Sequence, residues 1–176
     1  GTKLLLEAQV ERALEGDQAA WAALYDALAP DVHRFLLGLG VLGRGEVEDC
    51  VQETFVRLVR DLPRFDRSRA LRPFALGVAR HVAIDAMRRR RAGDARLERV
   101  ATTAPAAAEP VGEVAERRER ATQVQAALGA VEPELRALLV LRHTDRLTMQ
   151  ELAEAAACSV PTARDRLRRA ARRFAS

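Results

Sequence analysis

The sequence has few cysteines and few of the residues that build β-sheets. Among its 176 residues there are five Phe, one Trp, one Tyr and two Cys. Ala, Leu, Arg and Glu dominate, and these residues favour helix, whereas scarce β-branched and aromatic residues leave little material for strands. Cys50 and Cys158 lie far apart and have no partner at metal-ligand spacing, so we expect reduced thiols that pack as small hydrophobes. The composition predicts an all-α fold.

Long apolar runs and catalytic motifs are also missing. The longest runs, such as Ala137 to Leu141, are far too short to span a bilayer, so we expect a cytoplasmic protein. The sequence shows no Ser/His/Asp or HExxH arrangement and no Gly-rich phosphate loop, and His33, His81 and His143 fall on different segments. We therefore expect no enzymatic activity, no small-molecule substrate, no cofactor and no metal.

What the sequence does have is segregated charge, although its net charge is only +4. Residues 1–62 carry 6 Lys and Arg against 11 Asp and Glu, residues 63–92 carry 9 against 2, and residues 158–176 carry 6 against 1. The positive surplus lies in two clusters, Arg88 to Arg91 and Arg164 to Arg173. Such basic stripes are expected of phosphate-binding surfaces, and the acidic stretch favours a basic protein partner. The alternative is that the arginines only favour the dipole of a helix end.

Helical periodicity predicts four helices in the first half of the chain. They are Leu4 to Leu14, Ala19 to Leu37, Glu46 to Leu62, and a helix that begins near Leu71 to Pro73 and runs into the first Arg cluster. Asp17 is a plausible cap for the second helix, and Pro30 predicts a kink or a break within it. The pattern fades from Ala92, and residues 102–112 (TTAPAAAEPVG) have the composition of a linker.

We therefore predict two small helical domains, residues 1–92 and 121–176, joined by a linker of residues 93–120. Periodicity returns by Glu113 and continues to Val131, and Pro133 is well placed as the first residue of a helix ending near His143.

The last fifty residues contain the sharpest local pattern. Thr148 and Glu151 form a capping box, Ala157-Cys158 makes a short turn, and Ser159 can cap a last helix with six arginines. Two helices joined by a tight turn, the second of them basic, predict a helix-turn-helix that binds DNA. A plain αα-hairpin is the structural alternative, and it would not require the arginines.

The order of these features resembles the bacterial sigma factors of the sigma-70 family, most of all the small two-domain extracytoplasmic function (ECF) group. Residues 46–66 (EVEDCVQETFVRLVRDLPRFD) are similar to region 2.2, and residues 71–91 (LRPFALGVARHVAIDAMRRRR) to regions 2.3 and 2.4. Residues 127–174 are similar to region 4. The resemblance implies a factor that recruits core RNA polymerase, recognises −35 and −10 promoter elements and assists promoter opening.

The resemblance also implies three sets of site residues. The set expected to dock on the clamp helices of the polymerase β′ subunit is Glu48, Asp49, Gln52, Glu53 and Val56. The set expected at the −10 element begins with residues along one side of the fourth helix, Arg80, His81, Ile84, Asp85 and Arg88, and also includes Arg89, Arg90 and Arg91. The set expected at the −35 element is Ser159, Pro161, Thr162, Arg164, Asp165, Arg166, Arg168 and Arg169.

Three positions depart from the family's usual pattern in the turn and the last helix. Ala157 stands where Gly is usual, Cys158 takes an aliphatic position, and Pro161 replaces a small residue. Asp165 adds a carboxylate near phosphates unless it accepts from cytosine or pairs with Arg168 or Arg169. These residues bear on the −35 preference rather than on the fold.

The partners implied by the resemblance are core polymerase, through its β′ clamp helices and β flap, promoter DNA, and an anti-sigma factor. A dimeric helix-turn-helix regulator that does not bind core polymerase is the alternative, and it would leave the acidic face of Glu48 to Val56 without a role. Association with core polymerase distinguishes the two.

Overall fold

A computed structural model describes residues 2–98 and 131–175, with short helical pieces at 115–117, 119–120 and 123. No strand occurs among these residues, and the predicted all-α fold is confirmed. The helices are α1 (Thr2–Leu14), α2 (Gln18–Gly38), α3 (Arg44–Asp61), a 3-10 turn (Leu62–Arg64), α4 (Leu71–Glu98), α5 (Pro133–His143), α6 (Met149–Ala155) and α7 (Val160–Ala175). We call residues 2–98 the N-terminal unit and residues 131–175 the C-terminal unit.

Local sequence signals set most helix ends. Asp17 caps α2, because its Oδ1 accepts a hydrogen bond from the Ala19 amide at 2.9 Å. α2 then runs unbroken through Pro30, so the predicted break does not occur. Pro30 has no amide to donate to the Asp26 carbonyl four residues earlier. Both residues are exposed, so this carbonyl lies on the water-facing side of α2.

α4 extends to Glu98, six residues beyond the predicted end of the first domain at residue 92. Residues 93–98 lack an apolar stripe but include Arg, Ala, Leu and Glu, which favour helix and outweigh a single Gly93. The predicted helix of 113–131 and the predicted linker lie mostly outside the described residues, so the predicted domain boundaries stay predictions.

Two hydrophobic clusters hold the N-terminal unit together. One lies among helices α1, α2, α3 and α4, and it includes Leu24, Leu28, Leu58 and Phe65. The other contains Phe35, whose side chain is fully buried, and it continues beyond the unit. The apolar residues whose helical periodicity predicted these helices therefore face a core.

The two units share that second core. It includes Leu36 and Leu76 of the N-terminal unit together with Leu138, Leu141 and Leu152 of the C-terminal unit. Burial of leucines on both sides makes the contact hydrophobic, so the units pack as one body in this arrangement.

Close backbone approach makes room for this packing. A Cβ on Gly77 of α4 would lie 3.0 Å from the carbonyl oxygen of Ala155 in α6. A Cβ on Gly38 at the end of α2 would lie 2.9 Å from the Val140 side chain in α5. Glycine at these two positions lets helices of different units come closer than an alanine permits.

A buried carboxylate, Asp145, lies in the loop between α5 and α6 and is 3 % exposed. Arg34 Nη1 lies 3.5 Å from its Oδ1, and Arg72 donates to its backbone carbonyl at 2.8 Å. Asp31 accepts from both arginines, at 2.9 and 2.7 Å. Burial raises the pKa of Asp145 to about 6, although Arg72 and Arg34 oppose the shift.

No described helix is long and apolar enough to cross a membrane. Cys50 is buried and Cys158 half-buried, and neither forms a disulfide. Burial raises the pKa of the Cys50 thiol, which keeps it protonated and unreactive.

Candidate polymerase and nucleic-acid interfaces

The outward face of α3 presents the five residues predicted for polymerase docking. All of them are exposed, while Val47, Val51 and Leu58 of the same helix are buried. This face combines three carboxylates with an apolar side chain, Val56, that is 64 % exposed. We call its five residues the α3 surface: Glu48, Asp49, Gln52, Glu53 and Val56.

Sequence reasoning missed two neighbours of the α3 surface. Val59, one helical turn beyond Val56, is 52 % exposed. Tyr25 of α2 is 45 % exposed, and its ring centroid lies 4.5 Å from that of Phe55. The sequence signal for Val59 was its position three residues after Val56, on the same side of α3 and away from the buried Val47 and Val51. Exposed apolar side chains beside a charged surface are typical of protein docking sites.

The exposed part of the predicted −10 site lies on α4 beside α3. His81 and Asp85 are exposed one turn apart, and Arg57 of α3 lies 3.6 Å from the Asp85 carboxylate. The same Arg57 donates to Glu53 at 2.8 Å, so it joins the α3 surface to α4. Desolvation and the neighbouring Arg80 cation lower the pKa of His81, so this imidazole is neutral near pH 7 and has one nitrogen free to accept.

Arg80 and Ile84 correct the sequence prediction of a shared DNA-facing side. Arg80 is 7 % exposed, with its Nε making no hydrogen bond, and Ile84 is 5 % exposed within the shared core. Burial lowers the pKa of Arg80, and Arg166 of α7 adds to the shift, so the C-terminal unit lies against it. Neither side chain is open to a DNA strand in this arrangement, because the two units cover them.

Four consecutive arginines in the C-terminal half of α4, Arg88 to Arg91, are exposed, and we call them the α4 cluster. Two of them contact the C-terminal unit: Arg88 pairs with the Glu134 carboxylate, and Arg91 donates to the Val131 carbonyl at 2.9 Å. Arg90 pairs with Glu46 of its own unit. The cluster therefore bridges the two units.

The helix-turn-helix has the local geometry that its sequence predicts. The Thr148 amide donates to Glu151 Oε2 at 2.8 Å, and the Glu151 amide donates to Thr148 Oγ1 at 3.2 Å, which confirms the capping box. α6 ends in a Schellman turn, in which the Cys158 amide donates to Ala153 at 3.0 Å. Ala157 occupies the left-handed position of this turn, with φ +51°.

α7 exposes most of the residues predicted for −35 reading. Arg166 is half-buried, and the other seven are exposed. Ser159 caps the helix, since its Oγ accepts from the Thr162 amide at 3.3 Å. Asp165 lies 3.4 Å from Arg169, which is one of the pairings expected for it. We call Arg164 to Arg173 the α7 cluster.

Among the described residues no group of His, Cys, Asp and Glu has the geometry of a metal site. The side chains of these surfaces offer hydrogen bonds, charge and apolar contact, which suit binding to a protein or a nucleic acid.

Comparison with known proteins decides the family. The family model for Sigma-70 region 2 matches residues 24–93, which include α3 and most of α4. The ECF RNA polymerase sigma factor SigC of Mycobacterium tuberculosis is 30% identical over 161 residues, covering 90% of this chain and 83% of that protein. The chain belongs to the ECF group of the sigma-70 family. Sigma factors of this family are transcription initiation factors.

Solved structures agree on the fold of this sigma factor. CnrH, in complex with the cytosolic domain of CnrY, matches with a TM-score of 0.69 at 20% identity, over 96% of this chain and 94% of that one. The sigma factor RpoE of Bartonella quintana, in complex with the anti-sigma factor NepR, matches with a TM-score of 0.57 at 17% identity, over 85% and 91%. At these identities the likeness concerns the fold.

Proposed function

We propose that this ECF sigma factor recruits core RNA polymerase through the α3 surface and directs it to promoters by reading the −10 element with α4 and the −35 element with α7. The observation that carries the proposal is the placement of an exposed acidic helix directly beside a basic one, in a chain that also holds a helix-turn-helix. Each surface alone has an ordinary explanation as a solvated face. Together they match what a promoter-specificity factor needs.

Docking on polymerase is supported by the make-up of the α3 surface. Its carboxylates complement a basic partner and steer association, while Val56, with neighbouring Val59 and Tyr25, offers apolar area to bury. We assign the β′ clamp helices as the partner of this surface, and the β flap as a partner of the C-terminal unit.

Reading of the −10 element is assigned to His81 and Asp85, with the α4 cluster on the phosphates. A neutral imidazole and a carboxylate suit hydrogen bonding to the edges of unstacked bases. The arginines of the α4 cluster supply positive charge that attracts DNA of any sequence. Arg80 and Ile84 join this site only when the C-terminal unit moves off α4.

Reading of the −35 element is assigned to the first turns of α7. Ser159, Pro161 and Thr162 lie at the N-terminus of this helix, which is the end that meets base edges in a helix-turn-helix. Arg164 and Arg168 follow on the same helix and are exposed. Arginine contacts guanine edges or phosphates in a major groove.

We also propose an anti-sigma factor as a partner, acting in the cytoplasm where polymerase and promoter DNA are found. Support comes from the two structural relatives, of which RpoE is held by the anti-sigma factor NepR and CnrH by the cytosolic domain of CnrY. The shared fold gives this chain comparable surfaces.

Run-off transcription with purified core polymerase tests the proposal. The wild-type chain should support initiation on a promoter selected from randomised −10 and −35 sequences. The double variant Glu48→Lys, Asp49→Lys should lose co-purification with core polymerase by about tenfold or more, because it reverses two charges of the α3 surface. Asp26→Lys, an exposed reversal on α2, is the control and should retain binding.

A chain that never associates with core polymerase but dimerises on palindromic DNA would sink the proposal in favour of the regulator alternative. Asp26→Lys changes the net charge by half as much as the double variant. A loss of binding in this control in proportion to that smaller change would show that net charge, rather than the α3 surface, governs association.

A further inference from the structure

Arg57 of α3 lies between the α3 surface and the exposed part of the −10 site on α4, and it differs from the other arginine near the end of α3. Its side chain is 27 % exposed, whereas that of Arg60 is 71 % exposed and pairs with its neighbour Asp61. A long cationic side chain that is mostly covered keeps fewer rotamers than one that extends into water. The position of the Arg57 guanidinium is therefore the better defined of the two.

Two carboxylates from different helices contact this guanidinium. Arg57 Nε donates to Glu53 Oε1 at 2.8 Å, and Arg57 Nη2 lies 3.6 Å from Asp85 Oδ2 in α4. Nε and Nη2 form one edge of a rigid plane, so the hydrogen bond to Glu53 also fixes the direction in which Nη2 points. An ordinary ion pair one helical turn apart explains the contact with Glu53, but it does not explain the reach to α4.

The contact with Arg57 leaves the Asp85 carboxylate able to bind a base. A distance of 3.6 Å is too long for a hydrogen bond, so the cation attracts the carboxylate without occupying its lone pairs. A carboxylate has about four acceptor sites, and the Asp85 side chain is 52 % exposed. Such an acceptor suits the exocyclic amino group of cytosine or adenine, which an unstacked base presents on its edge.

Arg57 also acts on His81, the other exposed base reader assigned to α4. Desolvation is the main cause that lowers the pKa of His81, Arg80 adds to it, and Arg57 contributes a smaller part, while Asp85 opposes the shift. The Arg57 cation is therefore near both exposed residues of the −10 site, although it belongs to a different helix.

We propose that Arg57 is a positioning residue for −10 recognition, which orients the Asp85 carboxylate toward the base and thereby sets a preference for adenine or cytosine. This role rests on the proposed function, because Arg57 acts through a residue already assigned to the −10 element. A contact residue keeps its productive orientation only where neighbouring groups support it. Loss of Arg57 should therefore weaken the base preference without abolishing binding.

Fluorescence anisotropy with the full chain tests this role on labelled single-stranded −10 oligonucleotides that carry each of the four bases at one position in turn. Asp85→Asn first identifies the position at which the preference depends on this side chain. At that position Arg57→Met should lower the ratio of affinities for the preferred amino-bearing base and for thymine by about two- to fivefold, as expected for a partly exposed ion pair. The ratio is decisive, because loss of a positive charge weakens binding to all the oligonucleotides alike.

Three further variants separate positioning from charge and from folding. Arg60→Met removes the same charge from an exposed site on α3 and should leave the ratio unchanged. Arg57→Lys keeps the charge without the planar edge and should retain part of the preference. The double variant Arg57→Met, Asp85→Asn should have the same preference as Asp85→Asn alone, since Arg57 acts through Asp85.

The outcomes distinguish this role from the proposed function. If Asp85→Asn changes the base preference and neither Arg57 variant does, Arg57 has no positioning role, while reading by α4 stands. A double variant with less preference than Asp85→Asn would also overturn the role, because Arg57 would then act independently of Asp85. If Asp85→Asn changes no preference, the assignment of α4 to the −10 element is wrong, and the role of Arg57 is wrong with it.

Discussion

The two arginine clusters differ in where their partners lie. Arg88 and Arg91 of the α4 cluster contact Glu134 and Val131, which belong to the C-terminal unit. In the α7 cluster, Arg169 pairs with Asp165 of the same helix and Arg173 pairs with Glu132 of the same unit. One cluster holds the two units together, whereas these pairs of the other stay within the C-terminal unit.

This difference bears on the order in which promoter elements are met. Under the proposed function, α7 offers its exposed arginines to duplex DNA while the units stay packed. Before all the predicted residues of α4 can contact DNA, Arg88 must separate from Glu134 and Arg91 from Val131. The C-terminal unit must also uncover Arg80 and Ile84. Binding DNA through the α4 cluster therefore costs more free energy than binding through the α7 cluster, although both clusters are rich in arginine.

The largest expected effect comes from breaking the packing itself at Gly77. A Cβ there would lie 3.0 Å from the Ala155 carbonyl oxygen, whereas a Cβ at Gly93 of the same helix meets nothing within 4 Å. Both Gly→Ala changes gain helix propensity, so their difference isolates the clash. Gly77→Ala should be less stable than Gly93→Ala by about 1–3 kcal/mol in urea unfolding.

Gly93→Ala serves as the control and should be more stable than the wild type by up to about 1 kcal/mol. Small-angle scattering on Gly77→Ala should show a larger radius of gyration, as the units separate. Equal stability of the two variants would mean that α4 and α6 do not approach each other this closely.

The next effect concerns Asp145, the carboxylate buried between Arg34, Arg72 and the nearby Asp31. Its pKa of about 6 lies above the ordinary 3.8, so the ionised form is disfavoured in the packed arrangement. The cost is present above pH 6 and is relieved as pH falls from about 6 toward 4. Asp145→Asn carries no such charge and should remove this dependence.

The pKa already includes the attraction of the two arginines, so a shift of this size sets the gain from Asp145→Asn at no more than about 3 kcal/mol at pH 7.5. The measurement is the free energy of unfolding of both proteins at pH 7.5 and pH 5. The difference between them should shrink at pH 5. A constant or growing difference would mean that burial does not disfavour the ionised carboxylate.

Local features of the fold were predictable from the sequence, because each depends on residues a few positions apart. The Asp17 cap, the start of α5 at Pro133 and the Thr148 capping box are all found where expected. The exposure of the α3 surface follows in the same way from its position opposite Val47 and Val51.

The contact between the units was not predictable in that way, since it depends on residues forty or more positions apart in the sequence. Burial of Arg80, Ile84, Arg136 and Asp145 results from this contact. One signal was present: α4 carries apolar residues on more than one face, including Leu76, Val78, Val82 and Ile84, and a helix apolar around most of its circumference is a buried helix.

A smaller effect is expected at Ala157, which orients the exposed cluster of α7. Its φ of +51° is unfavourable for any residue with a Cβ and suits glycine. Ala157→Gly should therefore stabilise the chain by about 0.5–1 kcal/mol. Ala171→Gly, an exposed position inside α7, is the matched control and should destabilise by about 1 kcal/mol. Unfolding in urea measures both, and the same sign for both would refute strain in the turn.

The smallest effect tests the comparison most directly, through the ion pair between Arg88 and Glu134. Both side chains are more than a third exposed, so the pair is worth only about 0.2–1 kcal/mol. Glu134→Gln frees Arg88 and should tighten binding to single-stranded −10 DNA roughly two- to fivefold, with a steeper salt dependence. Fluorescence anisotropy over a series of salt concentrations measures both quantities.

Glu132→Gln makes the matched control, because it removes the same charge from the same unit but acts on Arg173 of the α7 cluster. It should leave −10 binding unchanged while Glu134→Gln improves it. Equal improvement in both variants would show that net charge alone attracts the DNA. Improvement confined to Glu134→Gln would show that the α4 cluster must be released from the C-terminal unit before it binds DNA fully.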